Sequence, residues 1–318
     1  MKGDSIACNA WVPEALHRAR FDQAAAALFP DFSRSRLQSW INEGALTIAG
    51  QMARPRDKVA VGQELILRAE AAPAVTWSGQ DGDLMIVYED EHVIVVNKPA
   101  GLVVHPAAGH LDGTLVNLLI GYAPELEKLP RGGIIHRLDK DTSGIMCVAR
   151  SSLAHQSLVT QLAARSVKRQ YLAVCQGALT GGDTVDAPIG RHPTQRTRMA
   201  VIASGKAAVT HYRIHQRYRH YTALDVNLET GRTHQIRVHL AHKNHPLVGD
   251  PVYAGRPRPP KAAAAELSDT ITAFRRQALH ARTLAFDHPA SGQRCQFDTQ
   301  LPEDLTALMA VLATWDGP

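Results

Sequence analysis

The sequence lacks the features that define several large functional classes. Its 318 residues include four cysteines, Cys8, Cys147, Cys175 and Cys295, and none of them belongs to a CxxC pair. Scattered cysteines argue against a disulfide framework or a thiolate zinc site and favour a reducing cytosol. No apolar run is long enough to span a bilayer, and the N-terminal residues contain no apolar signal region. We therefore expect a cytoplasmic protein that does not contact a membrane.

Motifs for nucleotide cofactors are also missing. No GxGxxG sequence follows a predicted strand, and residues 203–206 (ASGK) lack the earlier glycine and the spacing of a P-loop. His234, His239, His242 and His245 are candidate zinc ligands, but no cysteine or carboxylate accompanies them closely. A zinc site is therefore a minor alternative, and we expect no cofactor and no metal.

Acidic residues are scarce in one central stretch. Residues 150–220 contain eleven of the 35 Lys and Arg residues but only two of the 30 Asp and Glu residues. The rest of the chain has 24 basic and 28 acidic residues, although the net charge of the whole chain is +5. A basic surplus confined to one stretch is typical of a surface that faces phosphates. A solvated basic face is the alternative explanation.

The densest group of polar residues is the segment 136–144, with the sequence HRLDKDTSG. Apolar, β-prone runs flank it at 132–135 and 145–149, so we predict two strands with a polar loop between them. Asp139 and Asp141 have an ordinary explanation as turn residues, and a less favoured one as paired carboxylates of a glycosidase or a Mg²⁺ site. A loop held by a rigid scaffold is nevertheless a common location for catalytic groups.

Residues 12–70 are predicted to form a separate N-terminal module. The pattern indicates helices at 21–28 and 33–44 and short strands at 46–48 and 64–67. This order, with the strings SRSRLQSWINEGALTIAG and VAVGQELIL, resembles the S4 RNA-binding domain. The resemblance implies phosphate contacts from Arg34, Arg36, Arg54, Arg56 and Lys58. Residues 71–83, rich in Ala, Gly, Pro and Asp, are predicted to be a linker that lets the two modules move.

The second domain is predicted at 84–318 and mixes strands with helices. Strands are predicted at 85–88, 93–96, 167–174, 208–215 and 222–228. Helices are predicted at 114–122, 154–164 and 304–312, and a further helix is expected to begin with Thr233 as its capping residue. Residues 256–269 show no core pattern and are predicted to be an exposed insertion.

Four strings of this domain resemble motifs of the pseudouridine synthases, in particular the RluA group. They are NKPAGLVVHP at 97–106, HRLDKDTSG at 136–144, KRQY at 168–171 and GRTHQIRVHL at 231–240. With the S4 module, the resemblance covers nearly the whole chain. It implies an α+β protein in which a mixed, largely antiparallel sheet surrounds a central cleft, preceded by a small α/β RNA-binding domain.

The resemblance also implies roles for individual residues. Asp139 would be the catalytic carboxylate, Arg237 would pair with it, and Tyr171 would pack on the uracil or take the C2′ proton. Arg137 would fill the gap that a flipped uridine leaves in the RNA. The predicted substrate-binding residues are Arg137, His136, Thr142, Arg232, His234 and Gln235. The predicted RNA-backbone contacts of this domain are Lys168, Arg169, Arg191, Arg196 and Arg198.

The implied reaction is the isomerisation of uridine to pseudouridine in large-subunit ribosomal RNA, most directly in the helix 69 stem-loop. The implied partner is this RNA or the 50S subunit, without a nucleotide cofactor, and the expected state is a monomer. Three alternatives stay open at this point. They are a related synthase acting on other ribosomal uridines, a non-catalytic RNA-binding or ribosome-assembly protein, and a metal-dependent nuclease.

Overall fold

Two units make up the chain, Met1–Thr76 and Trp77–Pro318. The structure is a computed structural model and describes residues 5–30, 32, 34–70, 77–106, 112–195 and 197–317. The predicted linker at 71–83 lies partly outside the described residues. Its remainder belongs to the second unit, because Asn117 binds the carbonyl of Ser78 and the amide of Gln80 binds the carbonyl of Asn117. The second unit therefore begins at Trp77, earlier than the predicted Leu84.

The first unit is a three-stranded antiparallel sheet with two helices. Its elements are β1 (Ser5–Trp11), α1 (Phe21–Leu28), α2 (Arg34–Glu43), β2 (Leu46–Ile48) and β3 (Glu64–Glu70). The strand order is β1-β3-β2. Phe21, Leu37, Ile41 and Leu46 are fully buried between helices and sheet. The helices and short strands lie close to the predicted positions, whereas β1 was not predicted, and the S4 identity of the unit stays a prediction.

The second unit contains eleven strands and five α-helices among the described residues. Its strands are β4 (Ile86–Glu89), β5 (Val93–Lys98), β6 (Ser143–Ala149), β7 (Lys168–Gln176), β8 (Asp183–Asp186), β9 (Ile189–Arg191), β10 (Met199–Val201), β11 (Val209–Arg217), β12 (Tyr221–Leu228), β13 (Leu279–Asp287) and β14 (Arg294–Asp298). Its helices are α3 (Leu115–Tyr122), α4 (Ser152–Ala163), α5 (Gln235–His242), α6 (Ala265–Ala273) and α7 (Glu303–Trp315).

Nine strands form one mixed sheet in the order β4-β5-β6-β13-β7-β12-β11-β8, with β14 beside β13. Every pairing is antiparallel except that of β6 with β13, where His280 lies opposite Ser143. The central strand β7 alternates its side chains between two cores. Tyr171, Ala173 and Cys175 face one core, whereas Leu172 and Val174 face the core formed with α6 and α7. Both faces of the sheet are therefore covered, and the predicted α+β architecture is confirmed.

Three local predictions were wrong. The run at 132–135 is not a strand, because Gly132 and Gly133 have φ of 61° and 76° within the short 3₁₀ segment Pro130–Gly133. Thr233 does not cap α5, since His234 occupies the N-cap with φ of 57° and no side-chain cap. The predicted insertion at 256–269 runs into α6, whose Leu267 and Ile271 are buried one helical turn apart.

Gly144 of β6 lies opposite Ala281 of β13. Its φ is 121°, and a Cβ atom added there would lie 2.2 Å from the carbonyl oxygen of Ala281. Only glycine fits, because both the backbone conformation and the neighbouring backbone exclude a side chain.

We therefore predict that Gly144→Ala destabilises the second unit by about 3 kcal/mol or more, since strain and overpacking add. The matched control is Gly292→Ala, because Gly292 also has a positive φ of 69° but no atom within 4 Å of the added Cβ. The control should cost about 1 kcal/mol. Chemical denaturation of both variants measures the difference, and equal losses would contradict the packing argument.

Candidate functional site

A cavity of about 790 Å³ lies within the second unit. Three segments line most of it: the loop before β6, the start of β7, and the residues from the end of β12 into α5. They bring together Asp139, Tyr171 and Arg237, the three predicted catalytic residues. These residues are far apart in the sequence, so the sheet and α5 are what assemble them.

Asp139 and Arg237 form an ion pair in this cavity. The Nη1 atom of Arg237 donates a hydrogen bond of 2.9 Å to Oδ2 of Asp139. The Asp139 side chain is 18% exposed, whereas the Arg237 side chain is 5% exposed. The guanidinium thus holds the carboxylate through a charge-assisted hydrogen bond. The pair therefore presents a partly accessible anion to whatever enters the cavity.

A second carboxylate holds Arg237 in place from the other side. The Nε and Nη2 atoms of Arg237 donate to both oxygens of Asp250, at 2.7 Å and 3.0 Å. Asp250 is fully buried and also accepts the backbone amides of Val252 and Tyr253. Burial lowers the pKa of Arg237, but its bonds and charge interactions with Asp250 and Asp139 outweigh burial and raise that pKa. The guanidinium stays charged, and its orientation leaves Nη1 for Asp139.

His234 and Tyr253 stand beside this ion pair. The His234 ring bonds the Tyr253 hydroxyl through Nδ1 at 2.8 Å, and its Nε2 lies 3.9 Å from Oδ1 of Asp139. Burial lowers the pKa of His234 in spite of the opposing charge of Asp139. A neutral imidazole is therefore expected next to the carboxylate at neutral pH. The Tyr253 ring also faces the Arg237 guanidinium, with 5.1 Å between centroid and Cζ.

Lys98 fixes the loop that carries Asp139. Its ammonium is 1% exposed and donates to the carbonyls of Pro99, Leu102 and Lys140 at 2.8–2.9 Å. The last of these carbonyls lies one residue after Asp139. Burial lowers the pKa of Lys98 to about 8, against the opposing charges of the nearby aspartates. Lys98 is thus a positioning residue, a role that its sequence setting among prolines and glycine did not distinguish from an ordinary turn.

Tyr171 contributes a buried phenol to the wall of the cavity. It is 6% exposed and lies on β7. Burial raises the pKa of Tyr171, and the negative charge of Asp139 adds to this effect while Arg169 opposes it. The phenol therefore stays protonated at neutral pH. A flat ring in this position is suited to packing against a base.

Three of the predicted substrate-binding residues use their polar atoms inside the protein. His136 accepts the amide of Cys147 through Nε2, and burial, followed by the charge of Arg169, lowers its pKa to about 3. The amide of Gln235 makes four internal hydrogen bonds, and the hydroxyl of Thr142 accepts one from Gln277. These contacts favour positioning roles for the three residues over direct contact with a ligand.

Two predicted substrate-binding residues keep exposed guanidinium groups at the cavity. Arg137, two residues before Asp139, is exposed and forms no hydrogen bond with the described residues. Arg232 is also exposed and donates from Nε to the carbonyl of Ala207. Both are free to contact a ligand at the rim.

The predicted RNA-backbone residues are spread over both units. In the first unit, Arg34 donates to the buried carboxylate of Asp22 and Arg36 lies over the Trp40 ring, so these two also stabilise the unit. Exposed positions are occupied by Arg54, Arg56, Lys58, Lys168 and Arg191. Arg198 stacks on Tyr253, Arg169 lines the cavity, and Arg196 lies outside the described residues.

The sequence alone did not single out Asp250, Tyr253 or Trp77. Trp77 lines the cavity and packs against His105, with ring centroids 5.7 Å apart, although it falls in the predicted linker. Asp250 follows the apolar residues 247 and 248 after a single glycine, and a carboxylate in such a setting was the available signal for a buried ion pair.

The described residues also bear on two other features, a metal site and a membrane-spanning helix. Across the described ranges, no group of three or more His, Cys, Asp or Glu side chains is arranged to hold a metal ion. The histidines 234, 239, 242 and 245 thus do not form a metal-binding cluster. Among the same residues, no helix has both the length and the apolar character required to cross a bilayer.

Comparison with known proteins places this cavity in a family. Residues 92–242 match the family described as RNA pseudouridylate synthase. Proteins named ribosomal large subunit pseudouridine synthase D are similar over most of their length. The one from Pseudomonas aeruginosa is 55% identical, covering 97% of both chains, and the one from Escherichia coli strain K12 is 51% identical, covering 92% of this chain and 90% of the relative.

Solved structures show the same fold. The human RNA pseudouridylate synthase domain containing 1 is 26% identical, with a TM-score of 0.55 over 77% of this chain and 90% of its own. The human RNA pseudouridylate synthase domain containing 4 matches with a TM-score of 0.56 at 24% identity, over 72% of this chain and 92% of its own. The mixed sheet of the second unit is therefore the pseudouridine synthase fold.

The lowered pKa of Lys98 predicts a dependence of stability on pH. An unfolded lysine keeps a pKa near 10.4, so between pH 8 and about 10.5 the unfolded chain binds a proton that the folded chain has lost. Unfolding free energy should therefore rise with pH in this window, by at most about 3 kcal/mol.

Urea denaturation of the wild type and of Lys98→Met at pH 8, 9 and 10 measures this effect, since methionine has no proton to lose. We expect the difference between the two proteins to move in favour of the wild type as the pH rises. A constant difference, or a move towards the variant, would show that burial does not lower the pKa of Lys98.

Proposed function

The chain belongs to the RNA pseudouridylate synthases, and from that premise we propose that it isomerises uridines of large-subunit ribosomal RNA to pseudouridine. The relatives that cover most of the chain carry this substrate in their names. The observation that carries the proposal for this chain is the Asp139–Arg237 ion pair in the cavity. A cytoplasmic location follows from a ribosomal RNA substrate in bacteria.

Isomerisation breaks the bond between N1 of uracil and C1′ of the ribose, turns the base, and joins C5 to C1′. C5 then releases its proton to solvent and N1 takes up a proton, so that the product has the same composition as uridine. No redox change occurs and no energy input is needed. The demanding step leaves positive character at C1′, which a nearby carboxylate stabilises or captures. Asp139 supplies this carboxylate, with Oδ2 held by Arg237 and Oδ1 free of strong hydrogen bonds. An acylal route and a glycal route both need this geometry.

The uridine must leave its stack before the carboxylate reaches C1′. Flipping a base costs about a few kcal/mol, and less in a loop where bases are already unstacked. We assign the Tyr171 ring to the face of the flipped uracil, and the exposed Arg137 to the space that the base vacates in the RNA. Gln235, His136 and Thr142 act through the backbone segments that they hold.

The specific target that we propose is the helix 69 stem-loop of the large-subunit RNA. A stem-loop offers unpaired uridines, and the basic stretch between residues 150 and 220 supplies attraction to the backbone that carries no sequence information. The first unit, as a predicted S4 domain, adds RNA affinity through Arg54, Arg56 and Lys58. A monomer is sufficient for this chemistry, because every proposed catalytic residue comes from one chain.

Asp139→Asn tests the chemistry. The variant keeps the shape of the side chain and a hydrogen-bond acceptor for Arg237, but it loses the negative charge. We expect isomerisation to fall by at least about 1,000-fold, while affinity for RNA changes by less than about threefold. Tritium release from RNA labelled at C5 of uridine measures the reaction, and filter binding measures affinity.

The matched control is Asp141→Asn. It removes a carboxylate from the same loop, and Asp141 does not line the cavity. This control should keep activity within about threefold of the wild type. Retention of activity in Asp139→Asn would overturn the catalytic assignment. Loss of activity in both variants would indicate a fold effect on the loop.

The substrate assignment has a separate test. We expect ribosomal RNA from a strain without the gene to lack pseudouridine in helix 69, and the purified protein to restore it on unmodified large subunits. Chemical mapping of pseudouridine across the ribosomal RNA measures both. Intact modification of helix 69 in the deletion strain, with loss at another uridine, would assign the protein to a different ribosomal target.

A further inference from the structure

Arg169 is a buried cation without a counter-charge. Its residue is 9% exposed, and its Nε atom has no hydrogen-bond partner. No carboxylate oxygen of the described residues lies within 4.0 Å of its guanidinium. Its one internal contact is a long bond of 3.4 Å from Nη2 to the backbone carbonyl of Glu229. An isolated buried charge is costly, so an unpaired guanidinium in a cavity wall needs an explanation.

The surroundings of Arg169 leave room for an anion. The Glu229 carboxylate is turned away, since it binds Arg165 at 2.7 Å and His211 at 2.8 Å. Gly231 lies under the guanidinium, and a Cβ atom there would come within 2.8 Å of Nη1. The absence of that side chain keeps this part of the cavity wall open. Within the part of the chain that the structure describes, no carboxylate therefore competes for the free donors of Arg169.

Arg169 is also close to the proposed chemistry. It precedes Tyr171 by two residues on β7, so both side chains point to the same face of the strand and into the cavity. Its charge affects the pKa values of His136 and Tyr171, both of which line the cavity. The other cations at this rim differ from it. Arg165 has a carboxylate partner, and Arg232 is exposed.

We propose that Arg169 binds a backbone phosphate directly next to the uridine that enters the cavity. This inference rests on the proposed function and sharpens it, because it assigns one of the predicted RNA contacts to the target nucleotide itself. A guanidinium matches the geometry of phosphate oxygens with paired donors. The phosphate supplies the missing counter-charge and fixes the position of the ribose relative to Asp139.

A purely structural role makes a different prediction. If Arg169 serves only to hold the Glu229–Gly231 segment, its loss will harm every RNA equally, whatever the charge of the phosphate. If Arg169 contacts a phosphate, removal of the phosphate charge lowers affinity only while the guanidinium is present, so the two losses of affinity are not additive. A double-mutant cycle between protein and RNA separates these cases.

The experiment uses the full chain and stem-loop RNAs with one target uridine. Two test RNAs each replace one phosphate with an uncharged methylphosphonate, on the 5′ side of that uridine in one RNA and on the 3′ side in the other. The nucleotide that precedes the replaced phosphate carries 2′-deoxyribose, and the reference RNAs carry the same 2′-deoxyribose with an ordinary phosphate. Affinity and single-turnover isomerisation are measured for the wild type, Arg169→Gln and Arg169→Lys. Arg294→Gln is the control for loss of one positive charge, because Arg294 lies outside the cavity and pairs with Asp287.

We expect Arg169→Gln to lower affinity for the reference RNA roughly tenfold, as the loss of one good phosphate contact would. At one of the two positions, the methylphosphonate should lower the affinity of the wild type by a similar factor but leave the affinity of Arg169→Gln unchanged. Arg169→Lys should fall between them, and Arg294→Gln should stay within about twofold of the wild type on all RNAs.

Additive losses at both phosphates, with an active wild type, would overturn this inference alone. The absence of isomerisation by the wild type on any ribosomal RNA would overturn the proposed function and this inference with it. Circular dichroism checks the fold of each variant. If Arg169→Gln does not fold, the cycle between the wild type and Arg169→Lys decides, since only a direct contact makes the lysine variant less sensitive to methylphosphonate.

Discussion

The arrangement of the cavity in the second unit depends on one interaction, in which two carboxylates share the guanidinium of Arg237. Two of its nitrogen atoms serve Asp250, and one serves Asp139. Asp250 is buried and saturated with donors, whereas Asp139 remains partly accessible. One carboxylate therefore anchors the cation, and the other is the group to which we assign the chemistry. The sheet, α5 and the turn after α5 hold these three side chains next to one another.

The groups around this array are kept neutral. Burial lowers the pKa values of His136 and His234 and raises that of Tyr171, so these side chains carry no charge at neutral pH. The charged side chains that line the cavity are Asp139, Glu229, which pairs with Arg165 and His211, and a set of arginines. Such a surface attracts a polyanion, and in the proposed reaction Asp139 is the negative group at the point where positive charge develops.

Local sequence patterns predicted most strands and helices, but they could not predict the pairing of distant residues. The two-residue alternation of β7 and the apolar periodicity of α7 are each visible in a short window of sequence over that element. The contact between Asp139 and Arg237 joins positions 98 residues apart, and it was expected only because the motifs resemble a known family. The positioning role of Lys98 and the ion pair of Asp250 were not predicted, because both depend on burial, which a short string does not reveal. The N-cap at His234 was misplaced for a similar reason, since its left-handed backbone overrides the capping preference of Thr233.

The parallel pairing of β6 with β13 has a consequence for the order in which the protein matures. Ser143 and Gly144, which end the loop carrying Asp139, are held by residues 280 and 281, near the C-terminal end of the chain. Synthesis of all the motifs is complete by about residue 240, yet the strand that fixes the loop emerges later. A nascent chain that stops short of β13 would thus contain every proposed catalytic residue without holding them in register. Activity should appear only after β13 has been synthesised, and parallel pairing over such a separation is a slow folding step.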